Sequence, residues 1–177
     1  YNCDFVLISG DIFHSLRPSG FLLNRFSRFV AKLSELDMPV VVVAGNHDQP
    51  RTLNKKSYLS ALYAIRAPNF HYFDKPGSLL LNCKRSGKVV KIIGLPFLPL
   101  GFMRPQMFEK FLDDALSNEI DNGGDYDYLV AAAHFHVQGA KLGNYPYYLP
   151  VGEIKVPRHI FRRSELSYVA LGHIHLH

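Results

Sequence analysis

Short apolar runs rich in β-branched residues, most of them ending in polar side chains, constrain this chain more than any other feature. They lie at residues 5–9, 40–44, 89–94, 128–133 and 168–171. Each run predicts a strand, because β-branched and aromatic residues pack well on a pleated surface. The stretch between the first two runs has Leu22, Phe26, Phe29, Val30 and Leu33 at helical spacing. It predicts a helix capped by Ser19 and ending before Pro39.

The remaining segments predict two more helices and a hairpin. Residues 53–65 are amphipathic, and residues 104–120 form a third helical pattern with Pro105 in its first turn. Residues 78–94 read as a hairpin around Ser86 and Gly87. Strands that alternate with helices and are followed by a hairpin indicate an α/β fold with mixed sheets.

Four of the five strands run into polar residues of the kind that bind metals. These residues are Asp11 and His14, then Asn46, His47 and Asp48, then His134, and finally His173 and His175. Sheets of this class place ligands beyond the carboxyl ends of their strands. A single histidine there is usually a hydrogen-bonded residue, but a coincidence at four strand ends predicts a site. Mixed oxygen and imidazole donors suit Mn, Fe, Zn or Ni, and a shared carboxylate favours a dinuclear centre.

Composition excludes some classes of protein and leaves others open. The chain has 177 residues, 47% of them hydrophobic, which is enough for one domain with a substantial core. Its longest apolar stretch is broken by Gly and Pro and is too short for a bilayer span. Cys3 and Cys83 lie far apart, which indicates neither a disulfide framework nor a zinc knuckle and fits a reducing compartment. The net charge of +5 is a weak indication of a polyanionic partner.

The ordered motifs "GDIFH", "GNHD", "AHFH" and "GHIH" resemble those of the calcineurin-like metallophosphoesterases. The stretches "GDIFHSLRPS", "HFHVQGAK" and "YVALGHIH" are similar to the SbcD-type nucleases of double-strand-break repair. The resemblance covers nearly the whole chain. It implies an αββα four-layer sandwich that hydrolyses DNA phosphodiesters with two divalent ions, most simply Mn, with Mg, Fe or Zn as alternatives.

The resemblance also implies roles for individual residues. Asp11 corresponds to the bridging carboxylate, Asn46, His134 and His173 to further ligands of one ion, and His175 to a ligand of the other. His134 and His136 share a strand face, so periodicity does not choose between them, and the family pattern favours His134. His47 corresponds to a histidine that acts on the phosphate without binding metal and is held by Asp48. His14 is a second candidate of this kind, and Arg17 a candidate contact to the DNA backbone.

The chain departs from the family pattern at both ends. The family's D-x-H motif lies on an upstream strand that nothing before Asp4 can supply, and the downstream DNA-capping domain is absent from these 177 residues. The chain therefore reads as part of a longer protein. The resemblance implies that its partners are DNA and an SMC-like ABC-type ATPase. A homodimer is an open alternative, and no membrane partner is expected. The location is cytoplasmic beside the nucleoid in a prokaryote, or nuclear in a eukaryote.

Two rival functions remain open at the level of sequence. One is a phosphatase or phosphodiesterase of the same superfamily that acts on small substrates, since such enzymes share the metal motifs. The other is a binding module whose site no longer catalyses a reaction. A DNA-gripping domain further along the gene would favour the nuclease over the first rival, and an upstream D-x-H motif would count against the second.

Overall fold

The computed structural model of the chain describes residues 3–50, 56–99, 103–140 and 154–174. Within these ranges the chain forms seven strands, three α-helices and one short 3₁₀ helix. Their order is β1 (Val6–Ser9), α1 (Gly20–Glu35), β2 (Val40–Val43), α2 (Leu59–Ala64), β3 (Phe70–Phe73), β4 (Gly77–Cys83), β5 (Lys88–Leu95), α3 (Pro105–Asp121), β6 (Tyr128–His134), the 3₁₀ helix (Arg158–Phe161) and β7 (Tyr168–Gly172).

The strands form two sheets. Sheet A has the order β1-β2-β3, and both of its pairings are parallel. Sheet B has the order β4-β5-β6-β7, in which only the β4–β5 hairpin is antiparallel. The predicted site residues follow four of the parallel strands, β1, β2, β6 and β7. Their carboxyl ends therefore lie at the edges of the two sheets where these residues are found.

The alternation of side chains along β2 explains how sheet A is covered on both faces. Val40 and Val42 pack with Val30 of α1 and Leu59 of α2, whereas Val41 packs between the two sheets. All four valines of β2 are fully buried. A strand buried on both faces is expected to be uniformly apolar, as "VVVV" is.

Sheet B alternates in the same way. Ile92 and Val90 of β5 face sheet A, while Ile93 and Leu95 pack against Leu112 and other apolar residues of α3. The layers are thus α1 and α2, sheet A, sheet B, and α3. This arrangement confirms the predicted α/β class and the αββα sandwich.

The five strands predicted from the sequence all form, with boundaries that differ by one or two residues. Helix α1 is also confirmed, and the Ser19 hydroxyl accepts the N–H of Leu22 at its N-terminus. Leu22 and Phe29, two of the apolar residues at helical spacing, are exposed. Of the second predicted helix only Leu59–Ala64 is helical, and its residues 53–55 lie outside the described ranges.

One strand was not predicted. β3 has the sequence "FHYF" and pairs with β2 in parallel. It has four residues and no β-branched one, so its pattern is too short to separate it from a loop. In the described part of the chain, no helix has the length and apolar character needed to cross a membrane.

Candidate metal centre

The two sheets bring four predicted ligands together. Asn46, just after β2, places its Oδ1 3.0 Å from Nε2 of His134 and 3.0 Å from Nδ1 of His173. Asp11, just after β1, places its Oδ2 3.4 Å from Nε2 of His134. Sheet A therefore contributes the oxygen donors and sheet B contributes the two imidazole rings. The rings of His134 and His173 meet edge to face with centroids 5.1 Å apart.

The ring of His134 is oriented by a main-chain group of the other sheet. Its Nδ1 lies 2.7 Å from the carbonyl oxygen of Ser9, and its side chain is only 1% exposed. A carbonyl can only accept a hydrogen bond, so Nδ1 carries a proton that it donates. Nε2 then faces the oxygens of Asp11 and Asn46. Metal-binding histidines are commonly oriented in this way by a hydrogen bond from their second nitrogen.

Glycines at the strand ends make this close approach possible. A Cβ on Gly45 would lie 2.2 Å from Oδ1 of Asp11 and 2.8 Å from Cε1 of His134. A Cβ on Gly10 would lie 2.0 Å from Nδ1 of His134, and Gly10 also has a φ of +89°. The two GD and GN motifs thus need glycine because nothing larger fits between the sheets.

Two of the predicted ligands have an unusual backbone conformation. Asp11 has a φ of 54° and His173 a φ of 84°, both in the left-handed region that non-glycine residues seldom adopt. Strained residues of this kind cluster at functional sites, because the surrounding structure must hold them in place. The sharp bend at Asp11 directs its carboxylate back toward β2, where Oδ1 accepts the N–H of His47 at 2.9 Å.

The Asp11 carboxylate has a shifted proton affinity. Burial acts to raise its pKa, but the hydrogen bond and charge of His134, together with the N–H of His47, outweigh burial. The pKa of Asp11 therefore lies below its ordinary value, and the side chain is ionised at neutral pH. An ionised carboxylate is the form that binds a cation.

His47 lies beside this group, with a contact that differs from expectation. The sequence interpretation expected Asp48 to hold His47. In the structure, Nδ1 of His47 instead contacts the carbonyl oxygen of His14. Asp48 is 4% exposed, and its carboxylate accepts backbone N–H groups of Gly45, Ile12 and Phe13. The reason is geometric, because the Asp48 side chain points back toward the loops after β1 and β2, where these donors lie.

The other predicted residues are distributed as follows. The imidazole of His14 is exposed, and its ring centroid lies 5.6 Å from that of His47. Arg17 is exposed in the loop before α1, where its carbonyl accepts the Ser15 hydroxyl. His175 lies outside the described residues. His134 rather than His136 contacts Asp11 and Asn46, and the carbonyl of His136 accepts the N–H of Val156.

The donor chemistry fits a divalent cation. Two oxygens and the Nε2 of His134 converge, and each of these three atoms can bind a cation through an electron pair once Nε2 carries no proton. Across residues 3–50, 56–99, 103–140 and 154–174, no group of three or more His, Cys, Asp or Glu side chains has an arrangement that could hold a metal. Asp11, His134 and His173 therefore do not form such a group by themselves, and Asn46 is the residue that contacts both imidazole rings.

Comparison with known proteins identifies the class of protein that carries this arrangement. The model of the calcineurin-like phosphoesterase family matches residues 1–177, and the chain belongs to that family. This finding confirms the family expected from the four motifs.

The curated proteins that are similar to this chain include nuclease subunits and a DNA repair protein. The SbcD subunit of the nuclease SbcCD from Staphylococcus epidermidis is 26% identical over 97% of this chain and 46% of its own length. The DNA double-strand break repair protein Mre11 of Methanocaldococcus jannaschii is 44% identical over 33% of this chain and 16% of its own. The SbcD subunit of the Escherichia coli K12 nuclease SbcCD is 33% identical over 34% of this chain and 15% of its own. The chain therefore spans about half the length, or less, of the relatives it matches.

Sequence reasoning missed the main-chain groups that organise the site. The carbonyl of Ser9 orients His134, and the carbonyl of His14 contacts His47. A backbone carbonyl has no residue signature, so only its place one residue before the GD motif could have drawn attention to Ser9.

Proposed function

We propose that this chain is the catalytic part of a metal-dependent nuclease that hydrolyses phosphodiester bonds in DNA during double-strand-break repair. The observation that carries the proposal is the convergence of Asp11, Asn46, His134 and His173 from two sheets, with His47 beside them. Nuclease relatives support the choice of DNA as substrate, since one of them matches 97% of the chain.

Asp11, Asn46, His134 and His173 would hold one divalent ion, and Asp11 with His175 would hold part of a second. Bound divalent ions supply a hydroxide nucleophile at neutral pH and electrostatic stabilisation of the phosphate oxygens. We assign manganese to the site as the first choice, with Mg, Fe and Zn as alternatives. A D-x-H motif upstream of residue 1 would supply the remaining ligands of the second ion.

His47 has the features of a general acid. Its Nδ1 contacts the carbonyl of His14, so this nitrogen carries a proton and Nε2 remains to face the substrate. A protonated Nε2 can donate to the leaving 3′ oxygen, and a charged ring also stabilises the negative charge of the pentavalent transition state. We assign orientation of the DNA backbone to the His14 ring, which is exposed near His47, and to the exposed Arg17.

The wider assembly is part of the same proposal. The relatives in Staphylococcus epidermidis and Escherichia coli are named as one subunit of a nuclease, which supports a second subunit beside this chain as well. We propose an SMC-like ATPase as that partner, and a DNA-capping domain downstream in the same chain. The reaction would take place where the DNA is, on the nucleoid or in the nucleus.

Full-length protein incubated with DNA in manganese buffer tests the proposal. We expect cleavage that stops when the metal is chelated, because attack requires a metal-activated hydroxide. A small phosphomonoester serves as the comparison substrate. Rapid turnover of that ester with no action on single- or double-stranded DNA would identify a small-substrate phosphoesterase instead, and inactivity on both would favour a binding module.

A further inference from the structure

Asp48 joins the two loops that carry the sheet A half of the site. Its Oδ2 accepts the N–H of Gly45 at 3.0 Å and of Ile12 at 3.3 Å, and its Oδ1 accepts the N–H of Phe13 at 3.4 Å. Gly45 belongs to the loop after β2, whereas Ile12 and Phe13 belong to the loop after β1. The two bonds to the β1 loop are longer than an average N–H···O bond, but a charged acceptor strengthens each of them.

The loop that Asp48 holds is the one that contacts His47. Asp11, directly before Ile12, accepts the backbone N–H of His47 at 2.9 Å. His14, directly after Phe13, places its carbonyl against Nδ1 of the His47 ring. Residues 11–14 therefore contact His47 both at its main chain and at its imidazole ring. The positions of both contacts depend on the conformation of the two residues between them.

This loop needs an external support. Asp11 has a φ of 54°, so the chain reverses sharply at the point where β1 ends. A conformation of this kind costs about 1–3 kcal/mol and persists only where surrounding contacts enforce it. The N–H groups of Ile12 and Phe13 also need acceptors, since Phe13 is only 6% exposed. A buried carboxylate satisfies both needs with one side chain.

We infer that Asp48 is a positioning residue that sets the His47 imidazole through the backbone of Ile12 and Phe13, rather than by pairing with the ring. The inference rests on the proposed nuclease function for its catalytic consequence, but not for its structural content. Among the described residues, the Asp48 carboxylate accepts its hydrogen bonds from backbone N–H groups. The partner of the His47 ring is the carbonyl that this backbone delivers.

Hydrogen exchange at single amides of metal-free, full-length protein tests the inference without reference to activity. In the wild type, the amides of Ile12 and Phe13 should exchange slowly. Asp48→Asn should accelerate their exchange, because asparagine replaces one of the two acceptor oxygens with an NH2 group. That group cannot accept a hydrogen bond from the backbone N–H that it faces. His47→Ala should leave both amides protected. Asp114→Asn, which alters an exposed carboxylate paired with Lys110 on α3, is the matched control and should change nothing here.

Cleavage kinetics supply the second measurement. Asp48→Asn should lower kcat about 10- to 100-fold, as loss of a partner that orients a functional histidine typically does. KM should change little, and bound metal should be retained. Unchanged exchange at Ile12 and Phe13 in a variant that has lost activity would overturn the inference in favour of direct pairing with His47. Fast exchange of both amides in the wild type would overturn it even if the variant failed to fold.

A protein that cleaves no DNA in any form would refute the proposed function and leave the exchange result standing. Conversely, normal cleavage by the wild type with unchanged exchange in Asp48→Asn would refute only the positioning role. The two proposals therefore fail separately.

Discussion

The two halves of the candidate site are held in different ways. On sheet A, the loops after β1 and β2 are tied to each other by Asp48, by the Asp11–His47 bond and by the His14 carbonyl. On sheet B, His134 and His173 find their site contacts across the interface, with Ser9 and Asn46. We call the sheet A half, in which the two loops hold each other, the frame. The sheet B half consists of the His134 and His173 rings, which contact this frame.

This difference has a consequence for mutagenesis. A change that pushes the main chain of the frame against the rings of sheet B should disturb all of the ligands, because the rings take their orientation from the frame. A change in one ring should subtract one ligand and leave the others in place. Substitutions on the two sheets can test this asymmetry, beginning with the one of largest expected effect.

Gly45→Ala should disrupt the whole centre. Its new Cβ would lie 2.2 Å from Oδ1 of Asp11 and 2.8 Å from Cε1 of His134, so the two sheets could not keep their spacing. Overpacking of this kind costs about 1–3 kcal/mol of folding free energy. We expect metal binding, measured by calorimetry on full-length protein, to be lost together with cleavage.

Gly123→Ala is the matched control, since a Cβ there meets no atom within 4 Å. It should bind metal and cleave DNA as the wild type does. Normal metal affinity in Gly45→Ala would show that the close approach of the sheets is not required, and the account of a rigid frame would be wrong.

His47→Ala should separate catalysis from metal binding. His47 contacts the frame through its N–H and Nδ1 and is not among the side chains that gather around Asn46. Loss of a general acid typically lowers the rate about 10²- to 10⁴-fold. Metal content by elemental analysis should remain that of the wild type. His159→Ala, which alters an exposed histidine paired with Glu109, should affect neither quantity. Loss of metal in parallel with activity would make His47 a ligand.

Asn46→Ala should weaken metal binding more than His173→Ala. The Asn46 side chain contacts both rings at 3.0 Å, so its removal deletes one donor and also takes one contact from each of His134 and His173. Removal of His173 deletes a donor but leaves the contacts of Asn46 and Ser9 with His134. Titration of the two variants with manganese under identical conditions compares them directly. Equal affinities would contradict the asymmetry between frame and rings.

The sequence predicted the parts of this molecule that depend on residue type. The apolar runs predicted five of the strands, and the polar residues after four of them predicted a candidate site, but the choice of His134 over His136 came from the family resemblance. What could not be predicted depends on backbone direction or on tertiary context. The four residues of β3 carry no period of their own, and Leu22 and Phe29 satisfy a helical pattern while remaining exposed. The contacts by which Asp48 was expected to hold His47 could not be predicted, because the partners of its carboxylate are main-chain N–H groups, which no residue pattern reveals.

Ser9→Ala should have the smallest effect, on stability rather than on chemistry. The Ser9 hydroxyl donates to the carbonyl of Ala170 at 3.2 Å and so links β1 of sheet A to β7 of sheet B. Its carbonyl, which orients His134, is unchanged by the substitution. A hydrogen bond of this kind contributes about 0.5–1.5 kcal/mol, so urea unfolding should show a loss of about 1 kcal/mol with metal affinity retained. Ser15→Ala removes a hydroxyl that bonds to the Arg17 carbonyl in its own exposed loop, and should cost less. If the two variants were equally stable, the hydroxyl of Ser9 would contribute nothing to the junction between the two sheets.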